Sequence, residues 1–118
     1  MNGMFTSYSI GEGVERVVPE GVDSLVKGAE VRLLEQMMPR VRRQRVWLDL
    51  GCVERIDAAG IAALITLYRA ARECGRCFGV TNPKPHVREI LTLVGLDRFL
   101  LCDHPEQEGC HELAETAA

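Results

Sequence analysis

"RIDAAGIAALITLYRAARECG", residues Arg55 to Gly75, decides the fold of this 118-residue chain. Its apolar residues Ile61, Leu64, Ile65, Tyr68 and Ala71 recur at spacings of three and four, the stripe of an amphipathic helix. Asp57 stands just ahead of the helix, where a side-chain oxygen can accept from the free amides of a first turn, and Gly75 stands where the helix stops. A strand pattern lies on either side. In "RVWLDL" (Arg45 to Leu50) the inner set is Val46, Leu48 and Leu50, while Trp47 makes the other face partly apolar; "RCFGVT" (Arg76 to Thr81) is a second buried run. Strands covered on both faces belong to parallel pairings with crossover helices, so the class is α/β.

Working outward, "FTSYSI" (Phe5 to Ile10) and "VERVV" (Val14 to Val18) read as a hairpin about the turn Gly11-Glu12-Gly13, ended by Pro19 and Gly21. Asp23 or Ser24 is placed to cap a first helix through "DSLVKGAEVRLLEQMM". There Val26, Ala29, Leu33 and Met37 make the apolar face, Gly28 weakens it, and Pro39 marks the end. Asn82-Pro83-Lys84-Pro85 turns the chain into a third helix reaching Val94, Gly95 caps it, and Asp97 starts a last turn carrying Phe99, Leu100 and Leu101. The expected order is β-β-α-β-α-β-α in one domain over residues 1–101. Residues 102–118 hold five carboxylates and no lysine or arginine, and are expected to form a mobile acidic tail.

Composition narrows the function. Hydrophobic residues are 47% and charged residues 26%, the balance of a folded globular chain. No apolar run approaches the roughly 18 residues that span a bilayer. The N-terminus reads as neither a leader nor an anchor, so the expectation is a cytoplasmic protein with no membrane insertion. A formal charge of −3 argues against general nucleic-acid binding. One basic cluster, "PRVRRQR" (Pro39 to Arg45), fits either cations complementing a helix C-terminus or a surface for an acidic partner.

Chemistry finds little to stand on. Five cysteines make no disulfide framework and are expected as thiols; Cys74 and Cys77 form C-x-x-C, but Cys74 falls at a helix C-terminus, the wrong end for lowering a thiol pKa. Cys102, His104, Cys110 and His111 lack the paired spacing of zinc folds. "GEGVER" begins like a dinucleotide fingerprint but is followed by a strand. No phosphate-loop lysine, nucleophile elbow or carboxylate pair is present, so neither an enzyme nor a bound metal or cofactor is expected.

The stretch from Val46 to Leu100 resembles the STAS family, shared by anti-sigma factor antagonists, stress-signalling scaffolds, sulfate transporter tails and partners of lipid-transporting ABC systems. The matching features are Leu48-Asp49-Leu50, Asp57 with Gly60, the apolar helix ending at Gly75, the strand into Asn82-Pro83, Val87 and Leu91, and Gly95-Leu96-Asp97. The resemblance, roughly Val14 to Leu101, implies a small mixed sheet with helices packed mainly on one face.

In phosphorylatable members of that family the residue after the aspartate is a serine or threonine, phosphorylated by a partner kinase that is itself the anti-sigma factor. Here it is Ala58. The resemblance therefore implies a partner-binding surface at Asp57, Ala58, Ala59, Gly60, Ala62 and Ala63, with Ala58 as a degenerate phospho-acceptor. Alanines also simply suit a helix, and periodicity alone leaves that reading open. The first functional reading is an anti-sigma factor antagonist or scaffold that binds an anti-sigma factor or related ATPase-kinase. The second is an accessory subunit of an ABC lipid transporter. A third, a small-ligand or nucleotide sensor, has no residue signature. Oligomeric state is not legible.

Overall fold

Alternation in the strands and three-to-four periodicity in the helices are realised as one four-stranded sheet with helices gathered on one face. The computed structural model describes residues 4–11 and 13–101; the expected acidic tail and Glu12 of the expected turn lie outside the described residues. Strands β1 (Met4–Gly11) and β2 (Val14–Glu20) form the antiparallel hairpin, with Ser7 opposite Val17 and Tyr8 opposite Arg16. β4 (Arg45–Asp49) and β6 (Phe78–Thr81) continue the sheet in parallel, in the order β1-β2-β4-β6. Pro19 does not end the hairpin. It lies inside β2 opposite Phe5, because β4 pairs only with residues 14–17 and a proline there removes no ladder bond on that side.

Two elements were not expected as strands in their own right. β3 (Ser24–Leu25) and β5 (Arg55–Ile56) pair in parallel as a separate two-stranded sheet. Helix α1 (Ala29–Arg43) consequently starts later than Asp23 or Ser24, after Gly28 at φ 101°, a conformation that costs glycine nothing. Leu25, fully buried, takes the interior place expected of Val26. The helix also runs through Pro39. Its buried seam of Leu33, Met37 and Val41 continues past the proline, which sits on the exposed side. The last turn is held from outside the helix: Arg40 Nη1 donates to Glu15 Oε2 at 2.8 Å, and Gln44 Nε2 donates to Glu15 Oε1.

Helix α2 (Ala58–Glu73) buries Gly60, Ala63, Leu64, Leu67, Ala70 and Ala71, whereas Ile61, Ile65 and Tyr68 are half-buried. The buried face is therefore turned from the expected stripe toward the small residues, which let neighbouring backbone come close. α3 (Pro85–Leu93) contributes Val87 and Leu91, and α4 (Asp97–Leu100) contributes Leu100. The core joins these to Val17, Val46, Leu48, Phe78 and Val80 of the sheet.

On the other face the paired row is Tyr8, Arg16, Trp47 and Gly79. The Trp47 ring lies over Gly79, where an added Cβ would overlap its Cζ3 and Cε3 carbons. Cys52 and Cys74 are exposed free thiols. Cys77 is disulfide-bonded, which corrects the expectation of a thiol there and shows that the C-x-x-C residues do not pair with each other.

Gly79→Ala should cost about 1–3 kcal/mol in urea unfolding followed by circular dichroism, the range for overpacking. The double variant with Trp47→Leu should lose less than the sum of the two single losses, since the ring is what the new methyl meets.

Candidate functional site

The start of α2 is built by one carboxylate. Asp57 is extended, outside the helix, and its Oδ1 accepts from the amides of Ala59 at 2.9 Å and Gly60 at 3.2 Å. Its Oδ2 accepts from the amide of Lys27 at 3.0 Å, thirty residues away in the β3–α1 connection. The Asp57 amide in turn donates to Leu25 O at 3.2 Å. One residue thus caps α2 and stitches β3 to it. Gly60 completes the join: an added Cβ would overlap the Leu25 carbonyl oxygen and come within 2.9 Å of Ile56 Cγ1.

These bonds set the charge state of the site. The amides of Lys27, Gly60 and Ala59 hold the Asp57 carboxyl below its ordinary value, Lys27 most strongly, while partial desolvation pushes the other way.

The residues expected to form the surface divide by depth. Ala58 and Ala62 are exposed, one turn apart on the same side of α2, and Asp57 and Ala59 are half-exposed. Gly60 and Ala63 are buried, so they shape the site from beneath, one by admitting β3 and the other as part of the core. Thr66 is exposed a turn beyond Ala62 and its hydroxyl donates to the Ala62 carbonyl at 2.9 Å.

The neighbouring strand ends are tied by a second carboxylate. Asp49, 5% exposed at the end of β4, accepts at Oδ1 from Gly51 N at 2.7 Å and Asn82 Nδ2 at 3.3 Å, and at Oδ2 from Arg16 Nη2 at 3.0 Å. This fastens β2, β4 and the end of β6 together below the α2 start. Asn82 takes φ 58° to do so. Sequence reading noted Asp49 in the family resemblance and Asn82 in a turn without the bond between them, and it placed Leu25 and Lys27 in the first helix with no part in the site. The signal for those two was only that Asp57 has a second oxygen to satisfy.

Further along α2, Ile65, Tyr68 and Arg69 line a groove of about 280 Å³ with Leu96, Phe99 and Leu100. Among the described residues no group of three or more His, Cys, Asp or Glu side chains is placed to hold a metal ion. Nor is any helix there long and apolar enough to cross a membrane.

Comparison with known proteins agrees with this architecture. The sequence family described as "Mlab, STAS domain" matches residues 13–102. Among solved structures, a putative anti-sigma factor antagonist from Thermotoga maritima superposes with a TM-score of 0.71 at 18% identity, covering 96% of this chain and 91% of that one. An anti-sigma-factor antagonist (STAS) domain protein from Planctomyces limnophilus gives 0.71 at 16% identity with 100% of both chains covered. The anti-sigma factor antagonist SpoIIAA in its unphosphorylated form gives 0.66 at 14% identity, covering 97% and 93%. At these identities the structures share the fold.

Because the amides hold the folded Asp57 carboxyl below its ordinary value, its contribution to stability is complete above the ordinary aspartate range and is lost as pH falls through the lowered folded value. Urea titrations of the wild type and Asp57→Ala should therefore differ at pH 7 and converge in acid below the ordinary aspartate range. Gly60→Ala should cost about 1–3 kcal/mol at both pH values, because its collision is with backbone and carries no charge.

Proposed function

The chain belongs to the STAS domain family, and we propose that it works as a non-catalytic, protein-binding regulator of the anti-sigma factor antagonist kind, receiving its partner on the amino end of α2. The observation that carries this reading is the exposed pair Ala58 and Ala62 on a helix start fixed from three sides by Asp57. Side chains this small leave a shallow apolar surface that a partner's backbone can approach closely, and a fixed helix end loses little freedom on binding. The partner class is an anti-sigma factor or a related ATPase-kinase.

The same position argues for a constant state. A phosphate at a helix start brings about −1.5 to −2 charges to a docking surface, which is how such a contact is switched off. Ala58 has no oxygen to receive one. Ser24 is half-buried in β3, and Thr66 lies further down the helix with its hydroxyl on the Ala62 carbonyl, so neither stands in its place. The surface is held in the form that phosphorylation would otherwise interrupt.

A second reading is favoured by the matching family's description, which names Mlab: an accessory subunit docked through the same surface to an ABC lipid transporter. The two readings share the surface and differ in the partner. Reconstitution with an ATPase-kinase and its sigma factor separates them from reconstitution with a transport ATPase and permease.

Ala58→Glu and Ala62→Arg should each weaken binding of the correct partner at least about tenfold by calorimetry, roughly the cost of burying an unpaired charge at an interface, with the circular dichroism spectrum unchanged. Incubated with the cognate kinase, the wild type should gain no phosphate in intact-mass measurement, and Ala58→Ser should gain one. A phosphate on wild-type α2 would sink the constant-state reading.

A further inference from the structure

The outward side of α2 continues beyond Ala62. Ala58, Ala62, Ile65 and Arg69 fall within about 60° of arc at the helical repeat and span about 16 Å along the axis. Ala58, Ala62 and Arg69 are exposed and Ile65 is half-buried, so this arc is one open face of the helix. Its character changes along its length, from alanines at the start to isoleucine and arginine further on. There α4 joins α2 to wall the groove of about 280 Å³. Both walls are helical rows at the same spacing, with 65, 68 and 69 on α2 and 96, 99 and 100 on α4.

The groove is more apolar than the interior requires. Tyr68 and Leu96 pack against the buried core and Leu100 belongs to it, whereas Ile65 and Phe99 stand outside that packing and still line the groove. A cavity of about 150 Å³ accepts benzene, so this groove has room for about two side chains of leucine or phenylalanine size. Its charge has one sign. Arg69 is the one charged residue in the lining, is exposed, and forms no ion pair with another described residue. Arg72, a turn further on, is drawn to Tyr68, its Nη1 donating to the hydroxyl at 3.4 Å and its guanidinium 5.8 Å from the ring centre. No carboxylate among the described residues lines the groove.

We propose that the groove seats an acidic amphipathic helix of the partner protein, with two bulky apolar side chains one turn apart held between α2 and α4 and a carboxylate set on Arg69. The inference rests on docking at the start of α2 and extends that contact along the helix. Continuity names the occupant's shape: a straight face that runs from small residues, where another backbone can come close, into a groove two turns on is matched by a second helix with the same rise. Charge names its sign, since a lone unpaired arginine at an apolar groove favours a carboxylate and opposes a lysine. The alanines thus set how closely a partner approaches, and the groove selects which partner is kept.

The probe is an alanine-based helical peptide of about 16 residues, long enough to hold a helix, with leucine and phenylalanine four positions apart and glutamates a turn beyond them. A second peptide carries lysines in place of the glutamates. Titrated into nitrogen-15-labelled full-length protein, the glutamate peptide should shift the amides of residues 58–69 and 96–100. Arg69→Glu should weaken that peptide at least about fivefold and strengthen the lysine peptide by a similar factor. Ile65→Glu should abolish binding of both, with the circular dichroism spectrum unchanged. No shifts at about 1 mM peptide, shifts that bypass residues 96–100, or an Arg69→Glu variant that leaves both affinities unchanged would each overturn the proposal. So would concentration-dependent shifts at the groove without peptide, which would give the face to a second copy of the chain. With the ATPase partner itself, Ala58→Glu and Ile65→Glu should both weaken binding. Loss from Ala58→Glu alone overturns the groove's part and leaves the docking reading standing; loss from Ile65→Glu alone supports the groove and removes docking at the helix start.

Discussion

The Asp57 carboxylate is the contact on which the working end of this domain depends. One oxygen satisfies two amides of the first turn of α2, and the other satisfies the amide of Lys27. Helix caps are local, joining residues two or three apart, but this one also spans thirty positions of sequence. It makes the orientation of α2 and the path of the β3–α1 connection one decision. Gly60 is the steric half of the same arrangement, since any larger residue would hold β3 off the helix and pull the Lys27 amide away from the carboxylate.

The sheet gives that joint its base. Asp49 gathers Arg16, Gly51 and Asn82, so β2 and the ends of β4 and β6 are fixed together where the chain leaves β4 for α2. At the opposite end the ties are of another kind: Glu15 takes Arg40 and Gln44 from the end of α1, and Arg42, Arg43 and Arg76 are exposed. The two ends are therefore chemically distinct, one shallow, apolar and poor in hydroxyls, the other cationic.

Much of this was legible in the sequence, for reasons that differ residue by residue. The α/β class, the main strands and α2 follow from periodicity, and the capping role of Asp57 follows from an acidic side chain just ahead of an apolar stripe. What periodicity does not carry is pairing at a distance. β3 is two residues long and exists because β5 lies beside it, so Ser24 and Leu25 read as the head of a helix until Gly28 is seen at positive φ. Pro39 reads as a stop because the seam that overrides it, Met37 and Val41 against the sheet with Arg40 on Glu15, is tertiary. The buried face of α2 was misjudged by a fraction of a turn for the same reason. Small residues look neutral in a hydropathy pattern, yet Gly60, Ala63 and Ala70 are buried, and at Gly60 the Leu25 carbonyl leaves no room for a Cβ. The disulfide at Cys77 was invisible to spacing altogether, since its motif neighbour Cys74 is not its partner.

The lone tryptophan sits on the sheet face turned away from the helices, laid over the backbone of Gly79, 4% exposed and with its indole nitrogen buried and unpartnered. That makes it a built-in dye for one half of the molecule. Its emission reports whether β4 and β6 stay in register, and it is optically deaf to anything that lands on the amino end of α2. Spectroscopy of the bare protein thus watches the scaffold, and a complex at the helix start needs a label of its own.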